Sequence, residues 1–283
     1  MAQTLYFLMC KPKHFGVSYV INPWMQGNID RTSPDRATAQ WRALLTIIAR
    51  YARVELVDPE PGLPDMVFTA NAGFVLDDIC VVSRFRHRER RGEEGHFERW
   101  FRSRRFCALT MPPHLPFEGA GDALIDRGMT RIWAAWGHRS ARASHDLLRS
   151  RLGVDVVSLR LVDARFYHLD TCFCPLDGGY VIYYPSAFDA RSNRLIERLV
   201  PAGLRIPIEE ADALNFACNA VNIGSTIIMN KASAGLRRRL QAIGFALVET
   251  ELSEFLKAGG AAKCLTLRLN EPLRSRPAAN RTA

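Results

Sequence analysis

Three stretches of the chain carry residues that could do chemistry together. The segment LKAGGAAKCLTLRL, 256–269, places Cys264 shortly after a Gly-Gly pair. RFYHLDTCFCPL, 165–176, carries His168 and Asp170, and PFEGAGDALID, 116–126, carries Glu118 in a glycine-rich turn. A thiolate is a strong nucleophile, an imidazole can move protons, and a carboxylate can hold that imidazole in one tautomer. Each also has a plain structural reading: a buried thiol, a satisfied core histidine, a solvated loop carboxylate. If 167–174 is one extended strand, His168, Asp170, Cys172 and Cys174 share a face. Those types suit zinc. But same-face neighbours on a strand sit roughly 7 Å apart, too far for four to share one ion. The other reading is a catalytic histidine with an orienting carboxylate, Cys172 and Cys174 being core.

Two further stretches add polar residues. LPDMVFTANAGFV, 63–75, holds Asp65, Phe68 and Asn71. YVINPWMQGN, 19–28, holds Asn22 before Pro23, and proline biases the preceding residue toward an extended backbone. A local turn role competes with a binding role for each asparagine.

The elements that must position these residues are short. Strand-like runs are expected at 4–9, 54–57, 72–76, 79–83, 130–135, 154–159, 171–175, 180–184, 220–223, 226–229, 246–248 and 264–269. Helices are expected over 34–51, 93–105, 140–151, 186–199, 232–243 and 252–258. Ser33-Pro34 reads as an N-cap with proline at the first helical position, and Ser192-Asn193 as a turn. Asp77-Asp78, Asp177-Gly178-Gly179 and Gly224-Ser225 sit between apolar runs as hairpin turns. The unit that repeats, every fifty residues or so, is strand–strand–helix–strand. This predicts an α/β array of similar modules in one domain, 1–272, followed by a polar tail, 273–283, expected to be disordered.

Composition sets outer limits. The chain has 283 residues, 48% hydrophobic and 24% charged, as a globular protein does. No apolar run is long enough to span a membrane, and the start lacks the basic region of a signal peptide. Seven cysteines without disulfide spacing predict reduced thiols in a cytoplasmic setting. Most of Cys10, Cys80, Cys107, Cys172, Cys174 and Cys218 are expected to be buried. The formal charge of +9 is densest in SRFRHRERRGEEGHFERWFRSRR, 83–105. Such a run could bind nucleic acid. Its interleaved glutamates instead predict a solvated helix of mixed charge from Glu93 on.

Taken together, the motifs resemble the guanidine-modifying enzymes: arginine deiminases, dimethylargininases and amidinotransferases. The cysteine after Gly-Gly, the His-x-Asp, the Phe-Glu-Gly and the Thr-Ala-Asn-Ala turn keep that family's order from Asn22 to Cys264. The resemblance implies a pentein fold, a pseudo-fivefold α/β propeller of ββαβ modules around a central site. It implies Cys264 as nucleophile, His168 as general acid and base, Glu118 as partner of His168, and Asp170 as guanidinium ligand. Arg139, in GHRSARASHDLL, resembles the arginine that grips a substrate α-carboxylate, and Arg90, in RFRHRERRGEE, a second one; solvated surface charge is the alternative for both. Asn22, Asp65, Phe68 and Asn71 would touch substrate. No metal or organic cofactor is implied. The implied partner is a small guanidino molecule, not nucleic acid or a membrane, and oligomeric state is left open.

Two positions depart from the family pattern. Family deiminases have an aspartate where FTANAG has Asn71, and many members have a histidine where this chain has Lys263, whose charge could lower the thiol pKa but which reads here as solvated. An amide both donates and accepts, so it could hold a guanidinium or a neutral ureido group. INPWM, PDMVFTANAG, FEG and FYHLD resemble the arginine dihydrolase subgroup, which implies two hydrolytic rounds giving ornithine, two ammonia and carbon dioxide. The alternatives are a deiminase or dimethylargininase giving citrulline, or an amidinotransferase.

Overall fold

Each tight turn between two short apolar runs folds as an antiparallel hairpin, and a helix after each hairpin returns the chain for a third, parallel strand. In the computed structural model, which describes residues 4–270, strand β1 (Tyr6–Cys10) is joined through α1 (Pro34–Ile48) to the parallel β2 (Arg53–Val57). The hairpin β3 (Gly73–Leu76) and β4 (Ile79–Val82) continues through α2 (Glu93–Ser103) to β5 (Cys107–Thr110). Likewise β6 (Ala123–Ile125) and β7 (Ile132–Trp136) lead through α3 (Ser144–Leu152) to β8 (Val156–Arg160). The third hairpin, β9 (Phe173–Pro175) and β10 (Val181–Tyr183), leads through α4 (Ala190–Leu199) to β11 (Arg205–Pro207). After the short α5 (Glu210–Leu214) come β12 (Val221–Ile223), β13 (Thr226–Met229), α6 (Ala234–Ala242) and β14 (Ala246–Glu249). Finally α7 (Ser253–Leu256) precedes β15 (Leu267–Arg268), which pairs antiparallel with β1. The result is five three-stranded sheets of one design, the last assembled from both ends of the described chain.

Each long helix buries an apolar stripe on its own sheet. Phe97 and Phe101 of α2 pack with Val75 and Val82, Leu148 of α3 with Ala134, and Ile196 of α4 with Ile182. Leu236 and Leu240 of α6 join the cluster of Ile227, and Trp41 and Leu44 of α1 that of Phe7 and Met9. Burying one such side chain is worth about 1.5–3 kcal/mol, so the modules are held mainly by these faces. Ser33 caps α1, accepting from the Arg36 amide, with Pro34 in the first turn as expected. No helix among the described residues is long and apolar enough to cross a membrane.

Several expectations need correcting. Strands β5, β6 and β11 and helix α5 were not visible in the sequence. The strands span three or four residues each, and pairing with neighbours rather than local pattern makes them; α5 is a single short turn of five residues. The run 167–174 is not one strand. Leu169–Thr171 forms a 3-10 turn, so the expected shared face of His168, Asp170, Cys172 and Cys174 does not exist. The Cys172 and Cys174 thiols lie in the core against the carbonyls of Leu169 and Ala220, both at 3.6 Å. Ser192-Asn193 is inside α4, whose cap is Asp189 accepting from the Ser192 amide. Helix α3 starts at Ser144, because Ser140 is bound to Asp122 instead. The strand expected at 264–269 shrinks to β15, leaving Cys264 in the turn before it.

Of the six other cysteines, only Cys107 is exposed. Glu93 is not solvated: it is fully buried at the start of α2. The basic run is largely compensated by its own neighbourhood, Arg84 pairing with Glu94, Arg102 with Glu98 and Arg104 with Glu55. The tail 273–283 and the boundary at 272 lie outside the described residues.

Candidate active site

The turns that enter the first strand of each hairpin hold the polar residues. Asn71 precedes β3, Asp170 precedes β9, Asn219 precedes β12 and Cys264 precedes β15, with Ala120 in the matching place before β6. Successive 3-10 turns, Thr69–Ala72, Gly119–Gly121 and Leu169–Thr171, pack against one another. Five sheets of one design thus bring distant residues to one place.

Cys264 is buried, and its loop explains the two glycines. Gly259 has φ +81°, and a Cβ on Gly260 would come within 2.5 Å of the Phe68 ring. The Cys264 Sγ donates to Asp170 Oδ2 at 3.4 Å and accepts from Asn219 Nδ2 at 3.0 Å. Burial, reinforced by the Asp170 charge, raises this thiol well above its ordinary pKa; the hydrogen bonds to Ala261 and Asn219 oppose that.

Two carboxylates nearby are incompletely bonded. Asp170 Oδ1 and Asp65 Oδ1 are buried and have no hydrogen-bond partner among the described residues. A buried carboxylate oxygen without a donor is costly, and so is a natural acceptor for a ligand N–H. Burial pushes Asp170 up to about 7, against the charge of Lys263 and hydrogen bonds from Cys264 and Asn219. Lys263 is thus half-buried behind the site, rather than solvated. Asp65 is also raised by burial, with Arg90 opposing, and its Oδ2 accepts the Tyr19 hydroxyl at 2.9 Å.

His168 Nε2 meets Glu118 Oε2 at 2.7 Å, and Arg139 Nη1 donates to the same oxygen at 3.0 Å. Burial alone would raise the Glu118 carboxyl. Arg139, the His168 hydrogen bond and Arg90 outweigh it and hold the group well below the usual carboxylate range. Glu118 therefore stays ionised and fixes the imidazole. Arg139 also donates to the Ile21 carbonyl at 3.1 Å and stacks 4.5 Å over the Tyr167 ring. Asp122 supports this corner, accepting from the Leu169 amide at 3.2 Å and the Ser140 hydroxyl at 2.6 Å. Arg90 is clamped by Glu93 through two bonds of 2.8 Å and donates to Asn71 Oδ1 at 2.9 Å. Neither arginine is a solvated surface charge, since each is almost fully buried.

Asn22, Asp65, Phe68, Asn71, Arg90, Arg139, His168 and Cys264 line one pocket, with Tyr167 and Gly259. Glu118 and Asp170 stand behind it, bonded to His168 and Cys264. All ten expected site residues therefore converge. Asn22 also works locally: its Oδ1 caps the turn at Trp24 and Met25, and its Nδ2 donates to the Ala258 carbonyl at 3.1 Å. Asn219, Tyr167 and Asp122 were not foreseen. For Asn219 there was a signal, because Phe216-x-x-Asn219-Ala220 repeats Phe68-x-x-Asn71-Ala72 three modules on. Among the described residues no group of three or more His, Cys, Asp or Glu side chains is arranged to hold a metal ion.

Known proteins fit this geometry. The family model for N,N dimethylarginine dimethylhydrolase, eukaryotic, matches residues 19–270. The chain is 57% identical to the bifunctional arginine dihydrolase/ornithine cyclodeaminase AgrE of Nostoc sp. over 280 residues, 99% of this chain and 40% of that protein. It thus spans about two fifths of the length of that bifunctional relative. It is 41% identical to the N(G),N(G)-dimethylarginine dimethylaminohydrolase of Mycobacterium tuberculosis, covering 95% of this chain and 87% of the relative. The N-terminal domain of ArgZ, an arginine dihydrolase from the ornithine-ammonia cycle in cyanobacteria, was solved as a Cys-to-Ser mutant bound to substrate. It superposes with a TM-score of 0.94 at 57% identity, covering 95% of this chain and 99% of that one.

Proposed function

Since the chain belongs to the N,N-dimethylarginine dimethylhydrolase family, we propose that it is a hydrolase of L-arginine, an arginine dihydrolase that works through a covalent cysteine intermediate. The observation that carries this is one pocket lined by a buried thiol, Asp65, His168 and the Asn71 amide, with the donor-free oxygens of Asp65 at its wall and Asp170 behind it, and with an ionised Glu118 holding His168. The high identity to arginine dihydrolase modules supports the substrate.

A guanidinium entering the cavity gives Asp170 and Asp65 the donors they lack, by charge-assisted bonds. Its charge also favours the Cys264 thiolate, which burial and Asp170 otherwise suppress. The thiolate attacks the guanidino carbon, and His168, held by Glu118, protonates the departing nitrogen. Ammonia leaves and an amidino-thioether remains. His168 then takes a proton from water, whose oxygen attacks the same carbon; the sulfur leaves and citrulline is formed. In a second round Cys264 attacks the ureido carbon and a second ammonia leaves. Water cleaves the resulting thiocarbamate to a carbamate, which loses carbon dioxide to give ornithine. Arg139 and Arg90, on the wall of the cavity, supply the cationic end for the α-carboxylate.

The wider architecture belongs to the same proposal. Five like sheets, closed by the pairing of β15 with β1, support a pseudo-fivefold pentein propeller around the site and one catalytic domain over 1–272. The cysteines of the described residues form no disulfide, which supports a reducing, cytoplasmic setting.

Mass spectrometry of products from L-arginine tests the reading. Ornithine with twice as much ammonia is expected. Citrulline alone would leave a one-round deiminase, and amidino transfer to an added amine would make the protein an amidinotransferase.

Two more outcomes follow from the geometry. Because Asp170 must be ionised to hold a cation and burial sets it at about 7, kcat/KM for arginine should fall about tenfold per pH unit as pH drops below 7. A flat profile down to pH 5 would remove Asp170 from guanidinium binding. Second, a Cβ on Gly121 would run into Asn71 Nδ2 and lie 3.3 Å from His168 Cγ. Gly121→Ala should therefore lower kcat/KM by about a hundredfold, with the melting temperature little changed. Wild-type kinetics in that variant would show that Asn71 can move without loss.

A further inference from the structure

The Asn219 side chain uses all of its bonding capacity, three of its four bonds going to the nucleophile loop and the fourth to Asp170. Its Oδ1 accepts from the amides of Ala261 and Cys264, both at 3.1 Å, and its Nδ2 donates to the Asp170 carbonyl and to Cys264 Sγ, both at 3.0 Å. The residue is fully buried. It comes from the turn before β12, a module away from the cysteine in sequence and at the position matching Asn71, Asp170 and Cys264.

The sulfur has two polar side-chain neighbours, and they pull in opposite directions; the Ala261 amide is a further donor to it. Asp170 accepts the thiol proton at 3.4 Å and repels a thiolate. Asn219 donates to the sulfur, a bond that strengthens when the sulfur is charged. The other charged and titratable groups around the sulfur are His168 and Tyr167 beside Asp170, Lys263 in the same loop, and Asp65, Arg90 and Arg139 across the cavity. Lys263 acts on Asp170, so Asn219 is the fixed neutral side-chain donor at the sulfur itself, beside the Ala261 amide.

We propose that Asn219 orients the Cys264 sulfur and stabilises its thiolate, and that the citrulline-consuming round depends on it more than the arginine-consuming round. The second half rests on the two-round reading above. In the first round the substrate is a cation and offsets the thiolate charge. In the second it is a neutral ureido compound, and the Asn219 N–H, with the Ala261 amide, is what remains to hold the thiolate. A hydrogen bond to a charged group is worth about 1.5–3 kcal/mol, one to two powers of ten in rate.

Asn219→Asp keeps acceptors for Ala261 and Cys264 and removes the donor; Asn219→Ala removes both. Two readouts are needed for each folded variant. In the absence of substrate, the pH midpoint of Cys264 alkylation by iodoacetamide is expected to rise by about one to two pH units. With arginine as substrate, citrulline is expected to accumulate, its hydrolysis falling at least about tenfold further than that of arginine. An unmoved midpoint, or equal loss in both rounds, would overturn the proposal and make Asn219 a loop brace. So would failure of both variants to fold. If the wild type makes no ornithine from citrulline, the two-round reading fails by itself, while the alkylation midpoint still decides whether Asn219 holds the thiolate.

Discussion

A Cys264→Ser variant is expected to bind arginine and turn none of it over. The exchange swaps one buried atom, so the fold should keep its stability to within about 1 kcal/mol. Serine still accepts from Asn219 Nδ2, which lies 3.0 Å from the sulfur, and still leaves Asp170 free to meet a guanidinium. What is lost is the nucleophile. A hydroxyl cannot ionise in a buried site beside a carboxylate. Loss of a covalent nucleophile costs about 10⁴-fold or more. Calorimetry should show arginine binding close to wild type, and quenched-flow assays should show no citrulline or ornithine. Turnover at the wild-type rate would move the nucleophile elsewhere, and Cys172, whose sulfur lies 3.8 Å from the His168 carbonyl, would be the next thiol to replace.

Much of this arrangement is legible in the sequence because it is written in local chemistry. Asp77 adopts φ +52° in the β3–β4 turn, where an Asp-Asp pair already announced a hairpin. The fifty-residue recurrence of hairpin, helix and strand follows from such turns, and the five-sheet layout follows from the recurrence. The reacting types, Cys264, His168, Glu118 and Asp170, stand out by motif. What is not legible depends on contacts across modules. The His168–Asp170 stretch lies just before an expected strand and its alternation allows an extended reading, yet a 3-10 turn there sends His168 to Glu118 and Asp170 to Cys264. Glu93 looked like one solvated glutamate among several. Its burial is decided by Arg90, three residues earlier on a separate turn, whose guanidinium it clamps under Asn71. Asn219 carried no chemical label at all, and only its place in the repeat connects it to the cysteine.

Asn71→Asp is expected to change the product from ornithine to citrulline. The Asn71 amide is pinned from both sides. Its Oδ1 accepts from Arg90 Nη1 at 2.9 Å and its Nδ2 donates to the Glu118 carbonyl at 3.3 Å. Arginine only donates and a carbonyl only accepts, so the two ends cannot be exchanged. One lone pair and one N–H remain for a ligand in the cavity. A guanidinium carries donors alone and can use the lone pair. A ureido group carries a carbonyl oxygen as well, and that oxygen needs the N–H. An aspartate keeps the first contact and adds charge that favours the cation. It cannot make the second, and it sets an oxygen against the Glu118 carbonyl. Citrulline then binds with its oxygen unpaired and should leave before a second attack. Hydrolysis of citrulline should fall by about a hundredfold or more, the scale on which a site rejects a ligand that leaves a buried polar group unsatisfied. Arginine consumption should stay within about tenfold of wild type, since charge-assisted bonds to Asp170 remain. Time courses with each amino acid as sole substrate, read by mass spectrometry, separate the two rounds. If the variant still converts citrulline to ornithine at the wild-type rate, the Asn71 N–H is not what retains the ureido group, and the second round must rest on the sulfur's own environment.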